Sequence, residues 1–276
     1  MRNKISPWAW VPTLYFAEGL PNVIVTIVSL VLYKQLGLSN AEITFYTSWL
    51  NLPWVVKPLW SPFVDAVKTK RWWVITMQLL IGASLGGVAF TIPTSMWLQS
   101  TLFFFWIMAF SSATHDIAAD GFYMLELNPH DQTFFVGIRS TFYRLASIFG
   151  QGVLVMIAGN IQVMLRGAIS YSWSLLFYGV AGIFIALWLW HNAKLPRPKD
   201  DTDHEQVTVT SVVRDLGKTI SSFFSKFPLK ETVFAFLFML LFRMPEGLLV
   251  KVSSLFLIDS QSCGGLGLSP AEYGFV

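Results

Sequence analysis

The sequence predicts an all-α integral membrane protein, and three observations carry that expectation. Of its 276 residues, 54% are hydrophobic and 13% charged, about half the ~25% charged share of a soluble domain. Seven apolar stretches are long enough to cross a bilayer. The third is an internal repeat. Glu18-Gly19-Leu20 recurs as Glu246-Gly247-Leu248, and Leu38-Ser39-Asn40-Ala41-Glu42 recurs as Leu268-Ser269-Pro270-Ala271-Glu272, at offsets of 228 and 230. Two matches in the same order, each at the same place relative to a helix, point to parallel halves of one membrane architecture.

The first helix is expected over about 8–33. It is too long for a signal-peptide core and is read as retained. Tyr15, Glu18, Asn22 and Ser29 recur on one side of it. The second, about 41–63, carries Pro53, Pro58 and Pro62, which should kink it, and Lys57 lies deep within it. The third, about 72–92, has the small-residue spacing Gly82/Gly86 and Ala83/Gly87 that favours close helix contact.

The fourth helix, about 96–123, ends in the stretch the rest of the chain is organised around, Ser111 to Tyr123. Two carboxylates, Asp116 and Asp120, sit four apart on one helix face, and Ser112 continues that face. A charge at membrane depth costs ~2.5–3.5 kcal/mol, so such residues face a cavity or a partner. The fifth helix, about 134–158, has one polar stripe: Ser140, Tyr143, Arg144, Ser147 and Gln151. The sixth is about 171–190 and the seventh about 231–258. Between them lies a polar loop and then an amphipathic stretch, 207–227, that reads as an interfacial helix. The tryptophans are expected mostly in the interfacial belts.

Residues 1–191 should therefore form a six-helix bundle, 192–230 a central loop with an amphipathic helix, and 231–276 the start of a second bundle that the chain leaves truncated. Twelve lysines and arginines lie in the N-terminus, the two–three loop and the six–seven loop, against two, Lys34 and Arg166, in the opposite loops. The N-terminus and central loop are expected to be cytoplasmic.

Composition also removes function classes. Cys263 is the only cysteine, so no intrachain disulfide or thiolate metal cluster can form. The common phosphate-loop, zinc-protease and serine-hydrolase signatures are absent. The net charge of +3 is spread over loops rather than gathered on one face, so nucleic acid is not an expected partner. No cofactor or metal is expected.

Six helices, a long central loop and then a repeat resemble the plan of the major facilitator superfamily. Asp65 with Lys68, Lys70 and Arg71 resembles a degenerate form of its two–three loop motif, with Ser61-Pro62 in place of the glycine. Three segments together resemble the AmpG and acetyl-CoA transporter family: Ala17-Glu18-Gly19-Leu20-Pro21, Leu59-Trp60-Ser61-Pro62-Phe63-Val64-Asp65, and Ala113-Thr114-His115-Asp116-Ile117-Ala118-Ala119-Asp120. The family has glutamine where His115 stands and an uncharged residue where Glu18 stands. The resemblance implies a permease that imports anhydromuropeptides from cell-wall turnover, monomeric and multi-pass in the bacterial inner membrane.

The intramembrane charges are the candidate sites. Glu18, Arg144 and Arg243 fall near mid-membrane, Lys57 and Glu246 not far from it, and Asp116 and Asp120 in the cytoplasmic half. Unpaired, at ~3 kcal/mol each, these seven would cost ~20 kcal/mol, above the ~5–15 kcal/mol net stability of a domain. They must pair or line a wet cavity. Asp116, Asp120, Glu18 and His115 are candidates for proton coupling; the alternative for the aspartates is an ion pair with Arg139 or Arg144. Arg144, Lys57, Arg243, Glu246, Tyr143 and Gln151 are candidates for the solute cavity; the alternative is pairing of the cations with Glu18 and Glu246, with Arg243 and Glu246 three apart on one helix. Asp65, Lys70 and Arg71 read as a gate. Proton-coupled import is the first expectation, with acetyl-CoA or another anionic solute second. An enzyme built on His115, Asp116 and Asp120, or a non-transporting sensor, are rivals from other classes.

Overall fold

The computed structural model describes residues 5–198, 201, 214, 217–218, 221–222, 225–226 and 228–276. The expected amphipathic helix over 207–227 lies outside the described residues for the greater part of its length. Among the described residues the secondary structure is entirely helical. Six helices are long and apolar enough to cross a membrane, one fewer than the sequence suggests, because the second is broken.

α1 spans Pro7–Gln35. Pro21 lies inside it, and a π-helical stretch, Ile24–Val28, follows at once. Proline lacks the N–H that would close the i→i−4 bond, so the ladder slips past it. Hydroxyls answer the loosened carbonyls: Thr26 Oγ1 donates to Asn22 O at 2.8 Å and Ser29 Oγ to Val25 O. The α2 region, 40–66, runs as Asn40–Leu50, Leu52–Val56, a 3-10 turn at Lys57–Leu59, and Ser61–Ala66. Each later piece has a proline in its first two residues, so the prolines segment the helix rather than merely bend it.

α3 spans Lys70–Thr91, α4 Trp97–Glu126, α5 Pro129–Met164, α6 Ile169–Lys194 and α7 Leu229–Ile258. α5 contains a second π-helical stretch, Phe149–Leu154. α8 is the short helix Pro270–Phe275. Both copies of the Leu-Ser repeat do the same job: Ser39 and Ser269 each cap the following helix in a reciprocal box with Glu42 and Glu272.

α1 is the centre of the bundle, with 78% of its most apolar window buried. Glycine lets it approach α5: a Cβ on Gly19 would stand 2.8 Å from Tyr143 O. The small residues of α3 serve two faces rather than one. Gly82 meets Phe184 of α6 and Gly87 meets the ring of Phe104 of α4, whereas Gly86 faces open space. Trp10 and Trp173 are core residues, each 1% exposed, and so depart from the expected belt role.

Among the described residues, α7 hydrogen-bonds and ion-pairs with the bundle at its C-terminal end. Lys251 Nζ donates to Thr47 Oγ1 at 3.2 Å and Ser48 Oγ at 2.7 Å. Asp259, just past the helix, pairs with Lys34 and accepts from Asn40 Nδ2 at 2.7 Å. α8 lies against α5, where a Cβ on Gly159 would meet Ala271 N at 2.6 Å. At the other end, which carries the N-terminus and the two–three turn, α7 is exposed from Val233 to Val250.

Candidate functional site

Within the bundle, α1, α2, α4 and α5 bring five charged side chains together. Glu18 lies within electrostatic reach of Asp116, Asp120, Arg139 and Lys57. Lys57 Nζ stands 3.7 Å from Asp116 Oδ2. Arg139 Nη1 stands 3.1 Å from Asp120 Oδ1 and donates to Tyr15 OH at 3.2 Å, while Tyr15 OH donates to the same Asp120 oxygen at 2.9 Å. The guanidinium also lies over two rings, 5.0 Å from Tyr15 and 5.3 Å from Tyr123. Asp120 is thus held from two sides.

Glu18 and Asp116 are not held in that way. They are 8% and 6% exposed, yet Glu18 Oε2 and Asp116 Oδ1 have no hydrogen-bond partner. Ser112 Oγ, wholly buried one turn before Asp116, is also unpartnered. Trp54 lies beside Asp116, but neither its Nε1 nor Asp116 Oδ1 completes a hydrogen bond. Buried polar atoms are nearly always paired, so this concentration of exceptions on α1, α2 and α4 makes their meeting place the candidate site.

Arg144 does not join the cluster. It is exposed and, among the described residues, has no ion-pair partner. Together with Glu18, Tyr143, Arg139, Ser140 and Tyr15 it lines a cleft of about 230 Å³. Gln151, expected on the same stripe, is exposed on the π-helical stretch of α5 and does not line that cleft. A second cleft of about 560 Å³ opens between α1, α2 and α7, with Arg243, Glu246 and Lys251 among its walls. Arg243 and Glu246 pair with each other along their own helix. The suggested pairing of Lys57 with Glu18 or Glu246 gives way to Asp116, because the broken α2 turns the ammonium toward α4.

Asp65 pairs with Lys70, whose Nζ also donates to Val64 O at 3.2 Å. Arg71 goes elsewhere. It donates to Asn192 O at 2.7 Å and Leu195 O at 3.3 Å. The backbone N–H groups of Lys70 and Arg71 donate to Asp201 at 2.6 and 3.1 Å, so a carboxylate from beyond α6 caps α3.

His115 is wholly buried but turns away from the aspartates: its Nε2 meets Gln78 Nε2 at 3.0 Å. His115, Asp116 and Asp120 therefore do not converge on a common point. Gln78, His191 and Thr13, the residues of this neighbouring network, were not singled out in the sequence. The signal was present, since Gln78 and His191 are polar side chains on otherwise apolar helices.

The sequence model of the BT1 family matches residues 17–264. Two curated relatives, each named "Putative transporter AmpG 4", come from Rickettsia felis and Rickettsia conorii. They are 25% and 24% identical over 272 residues, which cover 95% of this chain and 63% of each relative. An uncharacterized protein of Schizosaccharomyces pombe is 25% identical over 231 residues, 75% of this chain and 41% of that protein. The chain thus spans less than two thirds of the length of the relatives it matches.

Proposed function

The chain belongs to the BT1 family of transporters, and we propose that it serves proton-coupled import of bulky, partly anionic solutes, anhydromuropeptides first. The observation that carries this reading is a count of charge. Three carboxylates, Glu18, Asp116 and Asp120, face two cations, Lys57 and Arg139, in one cluster of which Glu18 and Asp116 are the buried members. One negative charge is in surplus. In a medium of low dielectric a surplus charge is expensive and is removed by binding a proton. Asp120 is occupied by Arg139 and Tyr15, so the proton seat is the Glu18–Asp116 pair, whose free oxygens lack any other partner.

Arg144 lies in the cleft that Glu18 also lines. Its guanidinium suits a bidentate grip on a carboxylate of the solute. Loading the solute beside Glu18 and loading the proton then act on the same field, which is what coupling requires. Asp65 with Lys70 serves as the gate at the N-terminal end. Arg243, Glu246 and Lys251 form the facing wall of the path. The three cations Arg144, Arg243 and Lys251 suit phosphate as well as carboxylate, which favours a nucleotide-linked acyl donor such as acetyl-CoA as the second reading.

In this reading residues 1–191 are one bundle, 192–230 a cytoplasmic loop and 231–276 the beginning of a second bundle. The protein is a monomer in the bacterial inner membrane with its N-terminus in the cytoplasm, as the loop charges favour.

The test is uptake of labelled anhydromuropeptide by vesicles from cells expressing the gene, with and without an inward proton gradient. Gradient-driven uptake that is lost in Asp116→Asn is the expected result. Uptake indifferent to the gradient would remove the proton role and keep the solute. No uptake of this solute, with gradient-driven uptake of an acyl-CoA, would move the assignment to the second reading.

A further inference from the structure

A hydrogen-bonded chain of four side chains runs through the interior beside the proposed proton seat. Thr13 Oγ1 on α1 meets His191 Nε2 on α6 at 2.9 Å; His191 Nδ1 meets Gln78 Oε1 on α3 at 2.9 Å; Gln78 Nε2 meets His115 Nε2 on α4 at 3.0 Å. His191, Gln78 and His115 have no solvent exposure at all. The amide of Gln78 donates at one end and accepts at the other. One of the two ring nitrogens that meet the amide accepts from it and the other donates to it, and His115 Nδ1, also buried, has no partner. Both rings are held in orientation by the same amide.

The chain closes on itself. Tyr15, half a turn beyond Thr13 on α1, donates to Asp120 of α4 at 2.9 Å. Four helices are thus linked in a ring, α4 to α3 to α6 to α1 and back to α4. The two residues of the proton seat sit on two members of this ring, Glu18 on α1 and Asp116 on α4. His115 and Asp116 are neighbours in sequence, ~100° apart around the helix. Pinning His115 on the α3 side fixes the rotation of α4 about its axis, and that rotation aims Asp116 at Lys57 and Glu18. We infer that Thr13, His191 and Gln78 are positioning residues that act through His115 to set the geometry of the Glu18–Asp116 pair.

The inference rests on the reading of that pair as the proton seat and adds what holds it in register. The groups that face Asp116 are Lys57 from α2, Glu18 from α1, Tyr143 from α5 and Asp120 from its own helix. With Lys57 at 3.7 Å, a small rotation of α4 changes the strongest of these interactions, since an opposite charge at such a distance moves a titration by ~1–3 units.

The experiment is an infrared titration of the whole chain in lipid, following the C=O stretch of a protonated buried carboxyl, assigned by its loss in Asp116→Asn. Gln78→Leu removes the centre of the chain and is expected to move the midpoint by about one unit. His115→Gln places an amide where Nε2 stands, keeps the link to Gln78, and is expected to leave the midpoint in place. A merely structural role would lower the melting temperature in Gln78→Leu and leave the midpoint where it is; that result overturns the inference while the proton seat stands. Equal shifts in Gln78→Leu and His115→Gln overturn it as well. Absence of any titrating carboxyl in the parent chain overturns the proton seat and the inference together. Should Gln78→Leu fail to insert, Thr13→Val, which cuts only the last link, is expected to give a smaller shift in the same direction, and no shift overturns the inference.

Discussion

α1 and α7 carry the same three residues, Glu-Gly-Leu, and use them in opposite ways. Glu18 is 8% exposed and has an unpartnered oxygen, whereas Glu246 is 61% exposed and paired with Arg243 on its own helix. Gly19 stands where α5 presses on α1, whereas Gly247 faces open space. The motif is one; the surroundings are two. An intramembrane carboxylate becomes a proton seat only where packing removes its solvent and leaves the cations beside it one short. Glu18 meets both conditions of the proposed seat; Glu246, exposed and paired with Arg243, meets neither.

Removing the cation on each side should separate the two copies most widely. Arg139→Met leaves Asp120 without its counter-ion. Breaking a fully buried pair costs ~3–5 kcal/mol; with the partners 28% and 39% exposed, about 2–3 kcal/mol is expected. Arg243→Met breaks a pair that is 72% and 61% exposed and should cost ~0–1 kcal/mol. Thermal unfolding in detergent measures both, and equal losses would erase the contrast.

The glycines give a smaller contrast of the same kind. Gly19→Ala puts a methyl 2.8 Å from a backbone oxygen of α5, an overpacking expected to cost ~1–3 kcal/mol. Gly247→Ala meets nothing within 4 Å and should gain up to ~1 kcal/mol from helix propensity. Opposite signs in the same melting assay are the expected outcome.

How far these differences were legible in the sequence varies by residue. The apolar spans and the prolines' disturbance of α2 were, because apolar length and missing N–H groups act locally; that the prolines would segment α2 rather than bend it was not. The Arg243–Glu246 pair was, because three residues along one helix are neighbours whatever else packs there. That Arg139 rather than Arg144 takes the aspartate was not, since it depends on how α5 is rotated against α1 and α4. Trp10 and Trp173 look like interfacial tryptophans until the bundle closes over them. The Gln78–His191 network was hidden for a similar reason: its members lie on separate helices, and only packing brings them into line.

The smallest expected effect concerns the end where α7 meets the bundle. Asp259 lies beyond the membrane span, and hydrogen bonds from Lys34 first and then Asn40 hold its carboxyl below the ordinary value. A depressed carboxyl favours the paired form at pH above its ordinary range, about 4, and loses that contribution as pH falls through the depressed value. The contact of α7 with α1 should therefore loosen on acidification below that range and be indifferent to pH in Asp259→Asn. Cross-linking between the two helices across a pH series reads this directly; an identical pH response in the variant would contradict it.

The central claim is that surplus charge at the first copy of the motif, and not at the second, takes the coupling proton. Gradient-driven solute uptake by Glu18→Gln measured beside Glu246→Gln tests it most directly. The account predicts that Glu18→Gln loses the response to the gradient while Glu246→Gln keeps it. Retention of the gradient response in Glu18→Gln, or its loss in Glu246→Gln alone, would contradict it.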